Sequence, residues 1–182
     1  MSEGIITIII YNEVNNSADI NQYLTNNNIK GVAIDTECLV SAYQLKLAFH
    51  KALLSEKQNI MKAKNNFQSE VAYYLTISGR VTEGVKQFAP SVSTTTVAVA
   101  ILTQSKDEAE LNISKMNECI QYKSLNMDEN SFIVVNEMKL KQLIEIYKLC
   151  PEEVGGSGSD ISMDIYKNVE DAVITKLAIK NL

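Results

Sequence analysis

With 182 residues, 46% hydrophobic and 21% charged, the chain has the balance of one globular domain, not of a disordered, collagenous or disulfide-dense sequence. A chain this long buries roughly 70% of its unfolded surface, so it needs no disulfide or metal staple. A net charge of −5 argues against a free-standing nucleic-acid binder, which gains affinity by neutralising phosphates.

The total conceals an uneven distribution. Residues 1–45 hold one base and five acids, residues 46–90 seven bases and three acids, and residues 91–182 nine bases and fourteen acids. A basic middle third suggests a localised anionic contact or a solvated helix face. The longest apolar runs, around Ile5–Tyr11 and Val97–Leu102, fall far short of the roughly 20 residues that span a bilayer. An acid, Glu3, stands where a signal peptide carries a base, so the expected location is the cytoplasm or nucleus, with no membrane partner.

In chain order, Gly4–Tyr11 is β-branched and apolar at both alternating sets of positions, which predicts a central strand covered on both faces. Ser17 is the expected N-cap of a short helix through Leu24, broken by Thr25-Asn26-Asn27-Asn28. A strand over Gly31–Ile34 leads to a long helix from about Cys38 to Gln58. Its core stripe is Cys38, Ala42, Leu45, Phe49, Ala52 and Leu53. Val71–Ile77 and Val97–Thr103 read as two more strands. Between them, Thr82-Glu83 opens a short helix that ends at Phe88 before Pro90.

Lys106–Tyr122 reads as a helix burying Leu111, Ile113, Met116 and Ile120. Phe132–Val135 reads as a strand, and Met138–Leu149 as a helix burying Leu140, Leu143, Ile144 and Tyr147. The expected fold is α/β in the α+β sense: one domain over residues 1–182, with helices packed on a mixed, largely antiparallel sheet of four to five strands. Pro151–Asp160 is linker-like, and its Gly/Ser segment, 155–160, is expected to join the last helix flexibly. That last helix, about Asp164–Ile179, carries an apolar arc of roughly 260°, where docking on one core takes about 100–150°. The surplus face requires either an unplaced element of the fold or a protein partner.

Catalytic constellations are sparse. Cys38, Cys119 and Cys150 are too far apart for a C-x-x-C pair and read as buried thiols, so no metal is expected. The single histidine, His50, has no adjacent nucleophile and reads as a half-buried structural imidazole. Asp35 and Glu37, just before the long helix, read as capping acids. No phosphate-cradling glycine pattern is present, and no cofactor is expected. The cluster with chemical content is basic: Lys57, Lys62 and Lys64, with Asn59, Asn65, Asn66 and Gln68 between and beside them, and Arg80 in the turn after the next predicted strand. If a hairpin-like path brings them together, they could hold a phosphate or the end of a nucleic-acid strand. Phe67, Tyr73, Tyr74 and Phe88 are the nearby rings available for stacking.

These residues also carry a family likeness. Ile34-Asp35 before the long helix, Met61-Lys62-Ala63-Lys64 with Ser69-Glu70, and Val81-Thr82-Glu83-Gly84-Val85-Lys86-Gln87-Phe88 fall in the order seen in the small kinase-binding subunit of the KEOPS (EKC) complex, the TPRKB-like family. The last of these resembles that family's I-S-E-A-x-K-x-F-G run. Glu145-Ile146-Tyr147-Lys148-Leu149 resembles its K-I-Y-K-L segment, and Asp171-Ala172-Val173 the start of its final helix. The chain departs from the pattern at Phe88-Ala89-Pro90, where a proline stop replaces a glycine cap.

The resemblance implies a non-catalytic accessory subunit. It would bind and stimulate the complex's small atypical kinase/ATPase and help recruit tRNA by its 3′ end for threonylcarbamoyladenosine modification, holding tRNA only weakly alone. On that basis kinase contacts are expected at Ile20, Leu24, Val173, Ile174 and Leu177, and tRNA contacts at Lys57, Lys62, Lys64 and Arg80. A competing reading is a small ligand-binding domain or enzyme using His50 and Asp35.

Overall fold

A computed structural model describes residues 4–64, 66–127, 136–155 and 163–180. Its elements run β1 (Ile5–Asn12), a 3₁₀ turn (Ser17–Asp19), α1 (Ile20–Asn26), β2 (Gly31–Asp35), a second 3₁₀ turn (Thr36–Cys38), α2 (Ala42–Lys57), α3 (Phe67–Leu75), α4 (Val81–Phe88), β3 (Thr96–Thr103), α5 (Lys106–Cys119), β4 (Ser124–Asn126), α6 (Glu137–Tyr147), α7 (Pro151–Val154) and α8 (Met163–Ile179). The four strands form one sheet in the order β2-β3-β1-β4, with every pair antiparallel, as expected of an α+β fold.

The long apolar strands are central because both of their faces are covered. From β1, Ile8 and Ile10 enter one core and Ile9 and Tyr11 the other; from β3, Ala98 and Ala100 face the first while Val97, Val99 and Ile101 face the second. The first core is closed by α2, α3, α4, α6 and α8, the second by α1 and α5. Small alanines on the first side leave room for helices seated close to the sheet. β2 lies at an edge, and its exposed backbone is partly satisfied by Asn21 of α1. That side-chain amide accepts from the Ala33 N–H at 2.8 Å and donates to the Ala33 carbonyl at 3.0 Å, so a side chain stands in for a missing strand.

Several expectations are corrected. Val71–Ile77 is not a strand: Val71–Leu75 belongs to α3, which Asn66 caps by accepting from the Ser69 N–H at 2.9 Å. Residues 70–75 are all buried, and a helix covered on nearly all sides shows the same continuous apolar run as a central strand. The long helix starts at Ala42 with Ser41 as N-cap, because Asp35 spends its capping bond on the Glu37 N–H in the intervening 3₁₀ turn. Ser17 does not cap α1; its hydroxyl donates to the Ser91 carbonyl. Of the expected buried face of α5, Met116 and Ile120 are buried and Ile113 partly so, but Leu111 is exposed, and Ala109 is buried in addition. Pro151 opens the helical turn α7. The predicted strand Phe132–Val135 and most of the predicted linker lie outside the described residues, while the short edge strand β4 was not foreseen.

Inside the first core, α6 is pinned by a buried polar knot. The fully buried Tyr147 hydroxyl accepts from Gln44 Nε2 at 2.6 Å and donates to the Cys38 carbonyl at 3.0 Å, while Gln44 Oε1 accepts from the Val40 N–H. Burial pushes the phenol well above its ordinary range, so it stays protonated and available as a donor.

Candidate functional site

The basic loop joins α2 to α3; Lys62 and Lys64 stand exposed on it and Lys57 stands exposed at the end of α2, while Asn65 lies outside the described residues. Among the described residues no carboxylate lies within ion-pair distance of these three lysines. Arg80 does not join them. It precedes α4, at the C-terminal end of α3, whereas Lys64 precedes the N-terminal end. Nine helical residues separate the two ends by roughly 13 Å. Arg80 instead pairs with Glu83 on its own helix at 3.4 Å. The hairpin that would have gathered all four residues required Val71–Ile77 to be a strand.

Beside the loop, an open groove of about 360 Å³ runs between α1–β2 and the start of α3, lined by Thr25, Asn28, Lys30, Glu56, Asn66 and Phe67 among others. A second hollow of about 170 Å³ continues it past Asn66 and Gln68 to Asn21 and Val85. Lys30 sits 4.0 Å over the Phe67 ring and pairs with Glu56 across the groove wall. Gln68 donates to the Asn21 carbonyl at 2.9 Å and so ties α3 to α1. The groove thus presents amides, an aromatic ring and the Lys30–Glu56 ion pair, with the exposed lysines of the loop outside its lining, which suits a planar polar group. Of the rings expected to stack, Tyr73, Tyr74 and Phe88 are buried and Phe67 alone lines the groove. Lys30 was missed; its signal in the sequence is that it is the one base of the first 45 residues.

The residues expected to contact a kinase do not form one surface. Ile20 and Leu24 are buried in the second core, while Val173 and Leu177 are buried in the first, on the opposite face of the sheet. Ile174 alone of the five is partly exposed. The buried stripe of α8, Tyr166, Val169, Val173 and Leu177, packs in the first core, and α8 touches α2, α6 and the unforeseen turn α7; the rest of its apolar arc is less covered, with Ala172 and Ile174 partly exposed and Ala178 and Ile179 exposed.

The end of α8 is fastened by two lysines. Lys51 of α2 donates to the carbonyls of Leu177 and Ala178, closing the C-terminus of α8. Lys180 donates to the carbonyls of Tyr73 and Thr76 at the C-terminus of α3 and lies 3.7 Å over the Tyr73 ring. Those contacts favour the ammonium, but burial, aided by the Lys51 charge, outweighs them and lowers Lys180 to about 8. An unfolded lysine titrates near 10.4, so between about pH 8 and 10 the unfolded chain binds more protons than the folded one. Stability contributed through Lys180 therefore rises with pH across that window. Urea melts at pH 7.5 to 9.5 should show this rise, and Lys180→Met should flatten it.

The competing catalytic reading finds little geometry. Asp35 Oδ2 accepts from the Thr94 hydroxyl while Oδ1 caps the 3₁₀ turn; His50 is exposed in the middle of α2; and neither hollow of the groove is lined by either residue. Cys38 is buried, and burial raises its thiol to about 11, which leaves little thiolate at neutral pH. Cys119 and Cys150 are exposed, contrary to expectation. Among the described residues no group of three or more His, Cys, Asp or Glu side chains could hold a metal ion, and no helix is long and apolar enough to cross a membrane.

A helix-covered antiparallel sheet with an open groove beside α3 places the chain among small α+β proteins. Within that class the chain belongs to the kinase binding protein CGI-121 family, whose sequence model matches residues 11–181. It is also similar to the EKC/KEOPS complex subunit TPRKB of Danio rerio, with 27% identity over 180 residues, covering 99% of this chain and 93% of that protein.

Proposed function

We propose that this chain is a non-catalytic subunit of a KEOPS/EKC complex in the cytoplasm or nucleus, which binds and stimulates the complex's small kinase/ATPase and helps recruit tRNA by its 3′ end for threonylcarbamoyladenosine modification. Membership of the kinase-binding family, along almost the whole chain, carries this reading. The outer flank of α8 is the proposed kinase contact: Ile174 is partly exposed, and Ala178, one turn on, is exposed. Light scattering of the chain mixed with its cognate kinase should show a 1:1 complex, and Ile174→Arg should weaken it without lowering the stability of the free chain. Two separate monomer peaks at micromolar concentration would overturn the proposal.

The exposed lysines between α2 and α3 support the tRNA contact, since phosphate contacts fix position without reading sequence. Lys62→Ala with Lys64→Ala should weaken binding of intact tRNA and flatten its salt dependence by about 0.7–0.9 in log–log slope per lost contact. Removing the 3′-terminal nucleotides should weaken binding as well. Arg80→Ala, at the far end of α3, should change the affinity less than twofold.

A further inference from the structure

Glu70, in the first turn of α3, has no exposed surface, and its carboxylate meets three donors. The Ser55 hydroxyl of α2 donates to Oε1 at 2.9 Å, and the backbone N–H groups of Lys62 and Ala63 both donate to Oε2 at 2.8 Å. A carboxylate can accept all three with no donor of its own turned against an N–H. The start of the loop is closed on α2, with the Gln58, Asn59 and Ile60 N–H groups donating to the carbonyls of Leu54, Glu56 and Ser55. Of residues 57–64 only Ala63 is buried, and Asn59 and Lys64 both hold left-handed backbone conformations, at φ 57° and 39°. The Asn66 N–H donates to the Ala63 carbonyl at 2.9 Å, so the segment is held through the N–H groups of Lys62 and Ala63 and the carbonyl of Ala63.

We propose that Glu70 is a positioning residue: an internal staple that presets the Lys62–Lys64 backbone so that both exposed lysines are held in place as phosphate contacts. This rests on the tRNA reading above and adds to it what holds those contacts in place. A loop already ordered in the free protein loses less freedom on binding, so the staple acts on affinity through Lys62 and Lys64 without touching the nucleic acid.

The test compares the full chain with Glu70→Ala, Glu70→Gln, Lys62→Ala/Lys64→Ala and the triple alanine variant. It reads amide hydrogen exchange at residues 62 and 63 together with the affinity for intact tRNA across 50–200 mM salt. Glu70→Gln should keep both amides protected, because its carbonyl can take the place of Oε2 while its NH₂ meets a Ser55 hydroxyl rotated to accept. Glu70→Ala should exchange both amides at least tenfold faster, bind tRNA with the reduced salt slope of the lysine double variant, and add no further loss in the triple variant. If Glu70→Ala does not fold, Glu70→Asp carries the same comparison, since its carboxylate falls one methylene short of the loop. Loop amides that stay protected, or losses that add in the triple variant, would overturn the staple. An unchanged affinity in the lysine double variant would overturn the tRNA reading instead; the exchange data would then decide alone whether Glu70 orders the loop.

Discussion

Leu177→Ala is expected to destabilise the isolated chain by about 2–5 kcal/mol. The side chain is 1% exposed and packs in the first core with Val169 and Val173 of α8, so its removal costs both the lost burial and the cavity left behind. Relaxation is limited here because the end of α8 is fixed by Lys51 on its carbonyls and by Lys180 on the carbonyls of α3. A urea titration of the free protein reads the effect directly as a lower midpoint with the slope unchanged. The same substitution at Ile174, which is only partly exposed and lies off the buried stripe, should cost less than about 1.5 kcal/mol. A Leu177→Ala chain as stable as the parent, with kinase affinity alone reduced, would mean that α8 presents its buried face to the partner and is not seated as described.

That contrast shows where the sequence was legible. The strands β1, β2 and β3 could be read because their apolar runs are continuous, covering both faces, and turn residues bound them; α5, α6 and α8 could be read from their 3.6-residue period. α3 could not. Phe67-Gln68-Ser69-Glu70-Val71-Ala72-Tyr73-Tyr74-Leu75 buries six consecutive residues, so no helical period survives in its C-terminal two-thirds. The decisive signal, Asn66 as N-cap three residues before Ser69, is a local one that the apolar run outweighed. One error then propagated into the site: treating residues 71–77 as a strand folded Arg80 back onto the basic loop. The wide apolar arc of α8 is only partly taken up inside the fold: α2, α6 and α7 meet its buried stripe, while Ile174 stays partly exposed and Ala178 and Ile179 exposed, a division that composition alone does not reveal. Ile20 and Leu24 of α1 lie in the second core, across the sheet from α8. A helix's apolar face predicts burial, not which side of the sheet receives it.

Gly84 supplies the second large effect, and its sign runs against propensity. In the interior of α4 an alanine should favour the helix by about 1 kcal/mol over glycine. A Cβ at this position, however, would lie 2.5 Å from the Ala72 carbonyl oxygen, 2.8 Å from its carbon and 3.0 Å from the Tyr73 nitrogen. All three are backbone atoms of α3, so no side chain can swing away; the two helices must separate. Separation would loosen Phe88, which is fully buried on the same face of α4, and disturb a helix whose residues 70–75 are buried as well. Overpacking of this kind costs about 1–3 kcal/mol and here exceeds the gain in propensity. Gly84→Ala should therefore lower the urea midpoint, and Gly84→Val, larger and β-branched, should lower it further. Because α3 bears the groove at one end and receives Lys180 at the other, the alanine variant should also exchange the Lys62 and Ala63 amides faster than its global stability alone dictates, by shifting Glu70 relative to the loop that it holds. A chain stabilised by Gly84→Ala would show that the α3–α4 crossing is wider in solution than these contacts imply.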